Sequence, residues 1–298
     1  MSSVCVKAPA KINLGLDVTG RRENGYHDVR MIMQGIELSD ELILEERDDY
    51  EVSLSIRGED GRVSSLSTTD NLICIAAGLV MDLKKCKGVN VTLTKNIPIA
   101  AGLAGGSTDA AATILGMNML YELNLSMEEM EAVGVKIGAD VPFCLHSGTM
   151  LSEGIGEVLT PLKTYEGVNV LIAKPPVSVS TKDVYNAFDS LANPVHPDID
   201  RIRECVEIKD LTGMSENIGN ILEGVTVTLY PVIEEIKEKM LSFGAIGTLM
   251  SGSGPTVFGL FSDEASCRKA AEEMRKVFPF KDIYVTKFAN TISMRSWK

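Results

Sequence analysis

Ile97-Pro-Ile-Ala-Ala-Gly-Leu-Ala-Gly-Gly-Ser-Thr-Asp109 runs directly into Ala110-Ala-Ala-Thr-Ile-Leu115. Gly102, Gly105 and Gly106 let the backbone approach a ligand closely and take positive φ. Ser107, Thr108 and Asp109 then open an alanine-rich helix whose first N–H groups have no intrahelical acceptor. Free amides and the helix dipole suit a phosphate, and the hydroxyls of Ser107 and Thr108 are within reach of phosphate oxygens or a magnesium ion. Taken alone, such a stretch is as well explained by a tightly packed helix entry. It lacks GxxxxGK[ST], so it is not a Walker A loop, and Gly102-Leu-Ala-Gly105 lacks the GxG of a dinucleotide fingerprint. A second glycine turn, Met250-Ser-Gly-Ser-Gly-Pro-Thr-Val257, also offers backbone to a ligand, or serves as a plain turn.

Outward from this loop, residues 4–18 alternate. Ile12, Leu14, Leu16 and Val18 face one side of a strand, and Lys11, Asn13, Gly15 and Asp17 face the other. Residues 31–44, 51–57 and 89–94 read as strands, 60–69 as a polar loop and 71–84 as a helix. The helix after the glycine loop reaches about Leu123, and Ser126 to Glu129 forms a capping box for another. Strands are expected at 148–152 and 168–173. Thr181 caps a helix through Leu191, and a polar, irregular stretch leads to Pro231, which opens a helix ending near Gly244. Residues 255–261, 265–278 and 283–288 complete the pattern as strand, helix and strand. Strands in runs with helices interspersed indicate an α+β fold. The polar stretch at 161–167 divides the chain into domains 1–162 and 163–298.

The chain has 298 residues, 45% apolar and 23% charged, the mix of a globular protein. A net charge of −12 disfavours nucleic acid and anionic membranes as partners. The apolar run at 72–81 is far short of the roughly 20 residues of a membrane helix, and the N-terminus shows no basic segment followed by an apolar core. Six scattered cysteines without a CxxC pair point to reduced thiols and a cytoplasmic location. Three histidines make no zinc motif. Oligomeric state leaves no mark on the sequence.

Three segments together resemble the GHMP kinases: Ala8-Pro-Ala-Lys-Ile-Asn13, Pro98-Ile-Ala-Ala-Gly-Leu-Ala-Gly-Gly-Ser107 and Ser251-Gly-Ser-Gly-Pro-Thr256, in that order. Gly25-Tyr-His27, Gly138-Ala-Asp-Val-Pro142, Glu153-Gly-Ile-Gly-Glu157 and residues 177–185 narrow the resemblance to the 4-diphosphocytidyl-2-C-methyl-D-erythritol kinase family. The match runs from about Lys7 to Phe261. Two departures stand out: Ala100, Ala101 and Ala104 where some members carry glycine, and Ile221 where Asn220-Ile-Leu-Glu223 resembles a family Asn-Asp-Leu-Glu. The resemblance implies two α+β domains, the first similar to ribosomal S5 domain 2 and the second ferredoxin-like, with the site between them.

The implied activity is ATP- and Mg2+-dependent phosphorylation of the 2-hydroxyl of a cytidine diphosphate sugar alcohol, in the non-mevalonate route to isoprenoid precursors. Asp140 is then the base that takes the hydroxyl proton, and Lys11 the cation that stabilises charge beside it. ATP would be held by Pro98, Ala101, Gly102, Leu103, Ala104, Gly105, Gly106, Ser107 and Thr108, with Asn71 and Lys95 near the adenine and Ser107 a candidate metal ligand. Asn13, Tyr26, His27, Thr181 and Tyr185 would join Asp140 in holding substrate, with Tyr26, His27 and Tyr185 reading the pyrimidine. Without the resemblance, Asp140 reads as a helix or turn cap, Lys11 as solvent-facing, Tyr185 as helix core and Thr181 as a cap. The rival readings are a GHMP kinase for another alcohol, such as homoserine or mevalonate, and a non-catalytic nucleotide-binding member.

Overall fold

A hairpin of two long strands frames the protein in the computed structural model, which describes residues 2–58 and 70–297. The polar loop expected at 60–69 lies outside the described residues. β1 (Ser3–Arg21) and β2 (His27–Glu46) pair antiparallel from Ser3↔Glu45 to Arg21↔His27, with register shifts at Pro9/Lys11, Asn13/Gly15 and Val18/Gly20. Such irregularities bend a strand and re-aim its side chains. The single apolar face expected for β1 is therefore broken. Ile12 and Leu14 join one apolar cluster while Leu16 and Val18 join another, with the Asn13/Gly15 shift between them. Both faces of β1 are covered, so Lys11 and Asn13 are buried as well.

β3 (Val52–Arg57), β4 (Val89–Thr94), β5 (Thr149–Glu153) and β6 (Val158–Pro161) extend this sheet. Two pieces arrive from late in the chain: β8 (Gly219–Asn220) and β12 (Met294–Trp297) both pair with β1. Against the sheet pack α1 (Leu72–Lys84), α2 (Gly105–Leu120), α3 (Met127–Val135) and α4 (Val141–His146). α3 carries the expected capping box. α2 runs so close to β2 that a Cβ on Gly116 would lie 2.7 Å from Leu44 Cδ1, forcing the buried Leu44 side chain to shift.

The second sheet is antiparallel and ordered β11-β7-β10-β9, from β7 (Asn169–Ala173), β9 (Gly247–Met250), β10 (Val257–Phe261) and β11 (Ile283–Lys287). Counted within the sheet, that is 4-1-3-2, the ferredoxin-like order. α9 (Val232–Ser242) and α10 (Glu264–Val277) pack on it. The fold is thus the expected α+β pair.

Three expectations need correction. The stretch before Pro231 is not irregular: it holds α6 (Ile199–Ile208), α7 (Leu211–Asn217) and α8 (Glu223–Leu229). α6 buries only Ile199, Ile202, Cys205 and Val206, a narrow stripe hidden among charges. Asp198 and Asp210 cap α6 and α7 by accepting from Arg201 N and Gly213 N. Second, the cap of α5 (Thr181–Phe188) is Ser180, not Thr181. Third, β6, α4 and β12 lie where no element was expected. α4 is barely more than one turn, and β12 depends on β1 across almost the whole chain.

Candidate active site

Strands β1 and β2, the glycine loop, α5 and the turn after β9 line a cavity of 1190 Å³. One end is backbone. The glycine loop reaches α2 through Ala104, left-handed at φ 57, and Ala100 is left-handed at φ 50. Left-handed backbone costs a residue with a Cβ roughly 1–2 kcal/mol. The loop is clamped from outside. Ser251 Oγ donates to Gly102 O at 3.0 Å. Gly102 has φ +71, and a Cβ there would sit 2.4 Å from Ser251 O. The two glycine turns thus lock onto each other, and Gly102, Gly105, Gly106, Ser107, Gly252 and Ser253 line the cavity. Asn220 secures the second turn, donating to Met250 O at 2.8 Å and Gly252 O at 2.7 Å. Ile221 is buried beside it and joins the apolar core.

Beneath the loop lies a buried ion triad. Lys95 Nζ bridges Asp40 Oδ2 and Asp109 Oδ2, the latter at 2.7 Å. Asp40 Oδ1 accepts from the backbone N–H of Asn96 at 2.6 Å and of Ile97 at 2.8 Å. Among the described residues, Asp109 Oδ1 has no hydrogen-bond partner. The two acids are therefore unequal: burial, countered by Lys95 and reinforced by Asp40, pushes Asp109 well above the usual carboxylate range. Burial alone would lower Lys95, but Asp109 and Asp40 together outweigh it and raise it. Lys95 was expected near adenine. It does line the cavity, but its ammonium is committed to these carboxylates.

Midway along the cavity, Lys11 Nζ stands 3.6 Å from Asp140 Oδ2 and 2.8 Å from Asn13 Oδ1. The slips in β1 deliver Lys11 and Asn13 to this side, and Lys11 N donates to Leu103 O at 3.1 Å, tying the strand to the glycine loop. Asp140 precedes α4, yet its carboxylate makes no capping hydrogen bond. It keeps about a third of its side chain exposed while Lys11 is buried. An acceptor oxygen and an ammonium thus face one volume next to the glycine loop.

The far end is made of side chains. Tyr26, 60% exposed, stands at the β1–β2 turn. His27 stacks on Tyr185 with ring centroids 4.8 Å apart and planes 28° apart. Burial, with the Asp140 charge adding, pushes the Tyr185 phenol up to about 12, so it stays neutral. Asp189 Oδ1 meets His27 Nε2 at 2.7 Å, and Asp189 Oδ2 meets Arg21 Nη1 at 3.2 Å.

Nearly all the expected site residues line this one cavity: Lys11, Asn13, Tyr26, His27, Asn71, Asp140, Thr181 and Tyr185, together with Lys95, Pro98 and the loop residues Ala101 and Ala104. Two do not. Leu103 is buried in the core, contributing its carbonyl to Lys11. Thr108 is buried and donates to Pro9 O at 2.9 Å, so its hydroxyl is spent on the fold and is not offered to phosphate or metal. Asn71 also caps α1, accepting from Ile73 N at 3.0 Å, and Thr181 Oγ1 meets Ser253 Oγ at 2.8 Å. Asp40, Asp109 and Asp189 were not anticipated. Asp40 had a signal: it interrupts the apolar register Ile36, Leu38, Leu42, Leu44 of β2, and a charge in a buried register calls for a buried partner. Asp189 had none, being 162 residues from His27.

Known proteins are similar to this chain in sequence and fold. Residues 71–148 match the family described as GHMP kinases N terminal domain, and residues 187–279 match GHMP kinases C terminal. A Lachnospira eligens protein named 4-diphosphocytidyl-2-C-methyl-D-erythritol kinase is 48% identical over 96% of this chain and 98% of its own. One from Alkaliphilus metalliredigens bearing the same name is 42% identical over 100% and 99%. A crystal structure of 4-(cytidine 5'-diphospho)-2C-methyl-D-erythritol kinase superposes with a TM-score of 0.79 at 31% identity, covering 96% of this chain and 100% of the other. Homoserine kinase from Cytophaga hutchinsonii shares the fold, with a TM-score of 0.80 at 21% identity over 98% and 97%.

Proposed function

The chain belongs to the 4-diphosphocytidyl-2-C-methyl-D-erythritol kinase family of GHMP kinases, and we propose how its own residues carry out that family's reaction. It is a kinase that moves a phosphate of ATP onto an alcohol of isoprenoid precursor biosynthesis. The acceptor in our reading is the 2-hydroxyl of the cytidyl compound, with Asp140 taking the proton as the oxygen attacks the γ-phosphorus and ADP leaves. Lys11 stabilises charge at the reacting oxygen. Asn13 accepts from Lys11 and thereby aims it. Phosphoryl transfer needs positioning and charge stabilisation more than covalent help. The observation that carries the reading is the Lys11–Asp140 pair at 3.6 Å, set between the glycine loop and the His27–Tyr185 stack.

ATP phosphates lie on the loop amides from Gly102 to Ser107. An oxygen-loving cation fits there: Ser107 lines the cavity, its hydroxyl has no side-chain hydrogen bond among the described residues, and no cluster of three ionisable ligands competes among them. Mg2+ would be held by the phosphates, water and Ser107, and would neutralise phosphate charge. Cytoplasmic residence belongs to the same reading, supported by six free cysteines, as does a division into domains 1–162 and 163–298, supported by the gap between β6 and β7. Among the described residues no helix is long and apolar enough to cross a membrane.

Asp140→Asn keeps the shape and removes the base. It should lower kcat on the order of 10²–10⁴ while calorimetry finds both ligands still bound. Lys11→Met should do likewise, and the two losses should not add, because both groups serve one oxygen. Near wild-type turnover in Asp140→Asn makes Asp140 structural.

A further inference from the structure

We infer that Asp189 is a positioning residue that makes His27 select cytosine over uracil, by fixing which ring nitrogen carries the proton. The inference rests on the reading that His27 meets the base. Asp189 closes α5, four residues after Tyr185, and therefore on the same side of the helix. The end of this helix surrounds the imidazole: Tyr185 stacks on its face, Phe188 meets it edge-on with centroids 6.5 Å apart, and Asp189 holds its rim. Arg21, the cross-strand partner of His27 in the hairpin, takes the other Asp189 oxygen. Asp189 Oδ1 is thus left to the ring alone.

A carboxylate only accepts, so His27 Nε2 must carry the hydrogen. In the neutral ring that leaves Nδ1 as a bare acceptor. The His27 side chain is only 8% exposed yet lines the cavity, and Nε2 is its one nitrogen with a protein partner among the described residues. Cytosine presents an amino donor where uracil presents a carbonyl acceptor. An Nδ1 lone pair accepts from the first and repels the second. Without Asp189 the imidazole exchanges tautomers freely, and an Nδ1–H form would donate to the uracil carbonyl.

The test compares turnover of the cytidyl substrate and its uridyl analogue by wild type, Asp189→Ala, Asp189→Asn and His27→Ala, with KM for ATP followed in each. Wild type should prefer cytidyl by about 100-fold or more in kcat/KM, as polar-site discrimination allows. Asp189→Ala should lose about tenfold of that ratio through KM, with kcat and the KM for ATP little changed. Asp189→Asn, which keeps an acceptor, should recover part of it. If Asp189→Ala weakens both substrates equally and leaves the ratio intact, Asp189 is only a helix end and the inference fails. If His27→Ala lowers the ratio but Asp189→Ala does not, base reading by His27 stands and the Asp189 role falls. If neither changes it, both fall.

Discussion

In the proposed reading, the end of the cavity that takes phosphate is built from backbone and the end that takes the base from side chains. At the phosphate end, one contiguous loop supplies the amides, and what surrounds it serves to hold it rigid: Ser251 on Gly102, Asn220 on the second turn, and the Lys95 triad below. At the base end the chemical groups come from two distant parts of the chain. His27 comes from a hairpin, while Tyr185 and Asp189 come from a helix beyond the second sheet's first strand. The difference has a chemical reason. Phosphate is the same in every ATP and is well served by generic N–H groups, whereas a pyrimidine must be told from its isosteres by placed donors and acceptors.

Perturbing each end should therefore fail in a different currency. Gly102→Ala puts a methyl against Ser251 O at a positive φ and should lower kcat/KM for ATP about 100-fold, as a misplacement of about 1 Å does. The KM for the cytidyl substrate should move far less. Equal losses for both ligands would mean that the ends are not separable. His27→Ala should raise KM for the cytidyl substrate on the order of tenfold, the worth of one lost polar contact, with the KM for ATP unchanged. A parallel rise in both would erase the distinction from the other side.

The smallest effect is expected at Asp109. Its folded pKa is raised above the unfolded value, so the stability it contributes is present below the ordinary carboxyl pKa, near 4, and is lost as pH rises through the folded value. Asp109→Asn abolishes that titration while Asp40 still neutralises Lys95. Urea unfolding should show a change under about 1 kcal/mol at neutral pH, with the variant gaining on wild type as pH rises from acid. A loss of several kcal/mol at neutral pH would identify Asp109 as an essential ionised partner of Lys95.

The same contrast governs what could be read in advance. The glycine loop, the strands 89–94 and 168–173 and the Ser126 capping box are local, so pattern and composition expose them. Alternation separates Lys11 and Asn13 from Ile12 and Leu14, but Leu16 and Val18 leave the Ile12 face, because a register slip depends on the partner strand. α6 escaped because a four-residue stripe is faint against its charges. Thr108 shows the limit for site chemistry: a hydroxyl at a phosphate loop looks available until Pro9 O is found within reach. Asp189 lies beyond any motif, since its meaning exists only once α5 folds against the hairpin.

On the proposed function, the phosphate end accepts ATP for any acceptor while the base end chooses the alcohol. Phosphate transfer by the purified protein should be measured with ATP against the cytidyl substrate, free methylerythritol, homoserine and mevalonate. Turnover of the cytidyl compound is expected, and none measurable above background for the three alcohols without a base. Comparable turnover of free methylerythritol would contradict it, because the side chains gathered around His27 would then play no part in choosing the substrate.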